Sequence, residues 1–167
     1  MHRPVNNNGF TLLEILLVVA AIGILAGIVI LAINPGRQLA AARNAQRQVD
    51  VNTILNAIYQ FSLDHNGRIP ETINTFSAND TCLDAANSEN PFPYSICVTS
   101  NGCSGINMDD LITNSKYLVG IPRDPSGYTP SNGDENQSGY FVIKQSTGRV
   151  SVCAPLAEND QEISVSR

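Results

Sequence analysis

Gly9-Phe10-Thr11-Leu12-Leu13-Glu14-Ile15-Leu16-Leu17-Val18-Val19 opens the stretch that decides the fold. From Phe10 to Ile33 the chain places 24 residues with a single charge, Glu14. At about 1.5 Å per residue a helix of that length reaches about 36 Å. A hydrocarbon core is about 30 Å thick, so the run predicts a membrane-spanning helix with some tilt. A cleaved secretory signal has a shorter apolar region of about 7–15 residues, and here Pro35-Gly36 separates the run from the small residues Ala40-Ala41-Ala42. A plain anchor does not explain Glu14, because a carboxylate inside a membrane helix is costly. Gly23 and Gly27 form a GxxxG pair that suits close helix–helix approach. Both lower helix propensity, and Pro35 removes a backbone donor. The stretch from Gly23 to Pro35 is therefore expected to be locally weak, with a kink or break at Pro35.

Outside this run the composition changes. Only 15% of the 167 residues are charged, against about 25% in a typical soluble domain. Residues 66–167 hold six basic and twelve acidic groups, so direct nucleic-acid binding there is not expected. Arg37, Arg43 and Arg47 beyond the span outnumber Arg3 before it, which by the positive-inside rule puts the large domain in the cytoplasm. The cysteines argue the opposite. Cys82, Cys97, Cys103 and Cys153 are an even set in a turn-rich acidic region, which suits two disulfides in an oxidising compartment. None of them has the CxxC spacing of a zinc ribbon.

The stretch quoted above resembles the amino terminus of a type IV prepilin or pseudopilin. A short polar leader ends in Gly9, Phe10 follows, Glu14 is fifth after the junction, and an apolar helix runs on directly. The resemblance covers residues 9 to about 60, and more weakly Ile121-Pro122-Arg123-Asp124-Pro125, which looks like the loop leading into the pilin sheet. Asn8 departs from the family, which usually has Lys or Arg before the Gly. The resemblance implies cleavage between Gly9 and Phe10 by prepilin peptidase, methylation of the new Phe10 amine, and pairing of Glu14 with that amine during assembly. It implies the leader inside and the globular domain outside, in agreement with the cysteines. It also implies a structural subunit of a type IV pilus, a helical homopolymer held in the bilayer before assembly and served by pilus assembly machinery. A pseudopilin of type II secretion has the same helix. The reading from a different class is a membrane-anchored extracytoplasmic binding module, which explains neither Glu14 nor the Gly–Phe junction.

The expected organisation is a leader over residues 1–9, a transmembrane assembly helix over 10–34, its amphipathic second half over 35–65, and an extracytoplasmic region over 66–167. Leu39, Ala42, Val49, Val51, Ile54, Leu55, Ile58 and Phe61 recur largely at steps of three and four, with Arg43, Arg47, Asp50 and Asn56 between them. Asn66-Gly67 ends the helix. Residues 66–107 read as a long connection with little regular structure beyond a short strand at 94–98. A short helix is expected over Met108–Tyr117, started by Asn107. Tyr140–Lys144 and Arg149–Ala154 form a hairpin across Gln145-Ser146-Thr147-Gly148, and Ile163–Ser166 adds an edge strand. The fold class is α+β, a long amino-terminal helix packed on a small antiparallel sheet.

Four cysteines allow three pairings. Cys97–Cys103, closing an Asn101-Gly102 turn, with Cys82–Cys153, stapling the long connection to the hairpin, is preferred. Asp124, Asp134 and Glu135 lack the spacing of a calcium loop and read as turn residues. Some pseudopilins hold calcium in this region. Asp64-His65 reads as a helix end rather than an acid–base pair. No nucleophile elbow or phosphate loop occurs, so no enzyme, metal or cofactor is expected.

Overall fold

The computed structural model describes residues 9–76, 81–99, 101–130 and 133–167. The leader expected over residues 1–9 therefore lies, but for Gly9, outside the described residues. The chain divides into two compact units, residues 1–39 and 40–167.

The first unit contains helix α1, Leu12–Ile33. Its side chains give it no amphipathic stripe; apolar residues cover it all round. The helix ends at Asn34, whose left-handed backbone (φ 44°) interrupts the hydrogen-bond ladder one residue before Pro35. Asn34 then serves the next helix, α2 (Pro35–Asp64), by accepting the Arg37 N–H on its backbone and side-chain oxygens. The break is thus a two-residue device. Pro35 supplies the pre-set φ of a first helical turn and Asn34 supplies the cap.

In the second unit α2 lies against a mixed five-stranded sheet. The strands are β1 (Thr75–Phe76), β2 (Ser95–Cys97), β3 (Gln137–Gln145), β4 (Val150–Ala154) and β5 (Ile163–Ser166). β3, β4 and β5 form an antiparallel meander, with Val142 opposite Val152 and Cys153 opposite Ser164. On its other edge β3 pairs antiparallel with β2 near Phe141 and parallel with β1 at Lys144–Gln145. That parallel pair corrects the wholly antiparallel sheet expected from the sequence. It exists because the chain returns from α2 through residues 66–74 and enters the sheet running the same way as β3. The β3–β4 turn closes through the Gly148 N–H on the Gln145 carbonyl, with Gly148 at φ 87°.

Side chains alternate across the sheet. Tyr140, Val142, Val150, Val152 and Ala154 face one core with Val51, Ile54, Leu55 and Ile58 of α2. Phe141, Ile143 and Cys153 face a second, smaller core with Cys82 and Ala85. Those last two belong to helix α3 (Cys82–Ala86), which begins in a capping box: Thr81 accepts the Asp84 N–H, and the Asp84 carboxylate accepts the Thr81 N–H at 2.6 Å. Residues 66–107 are therefore more regular than their composition suggests, holding β1, α3, a 3-10 turn at Phe92–Tyr94 and β2. Asn107 accepts the Asp109 N–H at the start of α4 (Asp109–Ile112), which passes into a 3-10 turn at Thr113–Ser115.

The expected outer and inner faces of α2 need correction. Leu39 and Val49 are each 58% exposed, whereas Arg47 is fully buried and Asp50 nearly so. The buried stripe runs Ala40, Asn44, Arg47, Val51, Ile54, Ile58, with helical spacing throughout. Asn44 and Arg47 make its first half largely polar while its second half is apolar, which hydropathy alone cannot detect.

Candidate functional site: a carboxylate in the first turn of an uncovered helix

Thr11 sets the start of α1. Its backbone is extended (φ −79°, ψ 150°), and its Oγ1 accepts the Glu14 N–H at 3.2 Å. Gly9 and Phe10 therefore stand outside the helix and are exposed. Glu14 occupies the third helical position, near the positive end of the helix dipole. Its carboxylate has no hydrogen bond or ion pair among the described residues. Around it Phe10 is 80% exposed, and the helix exposes Leu12, Leu13, Ile15, Leu16 and, further along, every large apolar side chain described as far as Ile33. A Cβ added at Gly23 or Gly27 would meet nothing within 4 Å. Among the described residues nothing uses their small size. Leu12–Ile30 is long and apolar enough to cross a membrane by length and composition.

The site is thus an exposed apolar helix whose first turn carries a carboxylate unpaired among the described residues, shortly beyond a Gly–Phe junction. Residues 5–30 match the family model of the prokaryotic N-terminal methylation motif. This is the prepilin signature of type IV pilins and pseudopilins. The match ends inside α1 and leaves the second unit untouched. No curated protein and no solved structure matches the chain. The prepilin signature takes in Gly9, Phe10, Glu14, Gly23 and Gly27, while Pro35 lies beyond it.

The second unit holds a polar cluster that sequence reasoning did not assemble. Arg47 donates from Nε and Nη2 to the two carboxylate oxygens of Asp124, at 2.7 and 3.0 Å, with both side chains fully buried. Its Nη1 donates to Asn44 Oδ1 and to Glu158 Oε1. Asn44 in turn donates to the Glu158 carbonyl and the Gln161 side chain, and accepts the Glu158 N–H. Arg43 makes a fork-shaped pair with the Glu158 carboxylate. Hydrogen bonds from Arg43, then Arg47, hold the Glu158 carboxyl at about 2. Burial pushes Asp124 upward, but Arg47 and Ser126 outweigh it and the net shift is down. One turn further along, Asp50 accepts the Tyr140 hydroxyl at 2.6 Å, and burial with that carboxylate pushes the Tyr140 pKa far up. A signal existed: continuing the buried spacing backward from Ile58, Ile54 and Val51 lands on Arg47 and Asn44.

This geometry gives the acidic loop residues structural work. Both Asp124 oxygens serve Arg47, and Asp134 accepts the Ser104 and Asn136 N–H groups, tying two loops. Glu135 contributes its carbonyl to Arg123. His65 stacks on Phe61 at 3.9 Å and bonds through Nδ1 to the Phe61 carbonyl. Asp64 is engaged by Lys116 and Tyr117. Disulfides join Cys82 to Cys153 and Cys97 to Cys103.

Proposed function

We propose that the chain is a structural subunit of a type IV pilus, polymerising through α1 after its leader is removed, and that it catalyses no reaction. The observation that carries this reading is the Glu14 carboxylate, unpaired among the described residues, in the first turn of an uncovered apolar helix within the methylation motif. Prepilin peptidase cuts between Gly9 and Phe10 and methylates the new amine. That amine is protonated at neutral pH. Carrying Glu14 into a membrane helix costs about 2.5–3.5 kcal/mol at the centre and less near an end. Two unit charges about 4 Å apart attract by about 4 kcal/mol at an effective dielectric of 20. A Glu14–Phe10 pair between neighbouring subunits therefore offsets the cost and sets the register of an incoming chain. Before assembly, residues 10–34 span the cytoplasmic membrane with the amino terminus inside. The disulfide-bonded unit then lies outside, and in the filament the helices of neighbouring copies cover α1.

The test measures membrane fractionation and sheared-filament yield together for native protein and Glu14→Ala. The expected result is unchanged insertion with filaments nearly absent. Native filament yield from Glu14→Ala would return α1 to the role of a plain anchor. Filaments confined to the cell envelope, absent from the sheared surface fraction, would assign the chain to a secretion pseudopilus instead.

A further inference from the structure

We infer that the Arg43–Asn44–Arg47 cluster is a mechanical stop, fixing how far α2 unwinds when the chain is loaded through α1. Between Pro35 and Ala42 only the Ala40 side chain is buried, and the helix is held there by its own backbone bonds. That segment is shorter than the roughly 12–15 residues an isolated helix needs in water. It also begins at a ready-made break, Asn34 at φ 44° followed by Pro35. One turn later the situation reverses. Asn44, 3% exposed, uses its whole amide: its Nδ2 donates to the Glu158 carbonyl and to Gln161, and its Oδ1 accepts the Glu158 N–H and Arg47 Nη1. Arg43 and Arg47 close on the Glu158 carboxylate from either side of Asn44, and Arg47 also reaches Asp124.

Unwinding α2 past Arg43 would strand a buried guanidinium, a buried carboxylate and a buried amide at once. Unwinding as far as Ala42 strands nothing buried but a methyl group. The loop that carries Glu158 is itself braced, because it leaves β4 one residue after Cys153, which is bonded to Cys82 on α3. Strain arriving along the helix is thus delivered at residues 43–47 to the loops that hold Asp124 and Glu158, and residues 35–42 absorb the extension. The stop belongs to the single chain. Its consequence for a filament under tension rests on the function proposed above.

Hydrogen exchange of the full chain in detergent micelles, read by mass spectrometry, tests the stop without requiring a filament. Native peptides covering residues 37–43 are expected to exchange about tenfold or more faster than those covering 47–55. In Asn44→Ala the fast zone extends through Asp50 while β3 and β4 keep their protection. Uniform protection across 37–55 in the native chain, or an unmoved step in Asn44→Ala, would overturn the inference. Should Asn44→Ala lose protection in β3 and β4 as well, Glu158→Ala carries the test, since the backbone partners of Asn44 remain. Exchange over 44–50 then rises about fivefold, and unchanged exchange there refutes the stop.

Discussion

Arg47 shows how a single residue can contradict its own hydropathy. It is the largest fully buried side chain among the described residues, and it is buried because Asp124 and Glu158 come from distant loops to meet it. Neither partner is near it in sequence, so hydropathy alone reads Arg47 as an outer residue, although its spacing from Val51 puts it on the buried stripe. Removing one member of a buried pair typically costs about 3–5 kcal/mol, because the other charge is left unsatisfied. Arg47→Met is expected to lose about that much, measured by chemical denaturation of the full chain in detergent; a loss below about 1 kcal/mol would mean the cluster does not hold the unit together. The same cluster sets an acid response. Glu158 titrates at about 2 in the folded chain, below its ordinary value of about 4.3. Between these values the unfolded chain binds the extra proton, so the stabilisation is complete above about pH 5 and disappears as pH falls toward about 2. Asp124, Asp64 and Asp84 shift in the same direction. The denaturation midpoint should be flat near neutrality and fall through this acid window. Glu158→Gln should fall less steeply than native protein, and identical slopes would count against the Glu158 contribution.

Elements differed in how plainly the sequence announced them. Helix α1 was legible because a 24-residue run with one charge admits few other readings. The β3–β4 hairpin was legible because two apolar runs flank a four-residue turn with Gly in its last position, and β5 because it is a short β-prone run. Helix α3 was missed. It is five residues long, and only its Thr81–Asp84 capping spacing marked it in a stretch rich in Asn and Ser. Its burial against Phe141 and Ile143 covers the far face of the sheet. Strand β1 was missed because two residues carry no periodicity. The disulfides belong at this scale, since each fastens one element to another. Cys82–Cys153 closes a span of 71 residues between α3 and β4, and Cys97–Cys103 closes a span of 6. Chain-entropy reasoning assigns about 4 kcal/mol to the first and about 2 kcal/mol to the second. The Cys82→Ser/Cys153→Ser protein should therefore be less stable than Cys97→Ser/Cys103→Ser, with the order checked by denaturant midpoints. Equal midpoints, or four free thiols on non-reducing peptide mapping, would contradict these assignments.

At the scale of the whole molecule, the chain joins two units with opposite requirements. Residues 40–167 bury two apolar clusters on the two faces of one sheet and satisfy most of their buried polar groups internally. The described side chains of residues 10–33 are exposed and leave one carboxylate unpaired among the described residues, over a helix long and apolar enough to cross a membrane; the function proposed above covers them with lipid first and then with copies of the same helix. The prepilin signature was readable because it is local, a fixed order of Gly, Phe and Glu ahead of an apolar run. The polar cluster at Arg47 was not, because it exists only once the loops at residues 124 and 158 have folded onto α2. The central claim, that this chain is processed and polymerised through α1, is tested most directly by the intact mass of the protein recovered from sheared filaments. The account predicts a chain beginning at Phe10, lacking Met1 to Gly9 and carrying one added methyl group. Filaments whose subunits retain Met1 to Gly9 would contradict it.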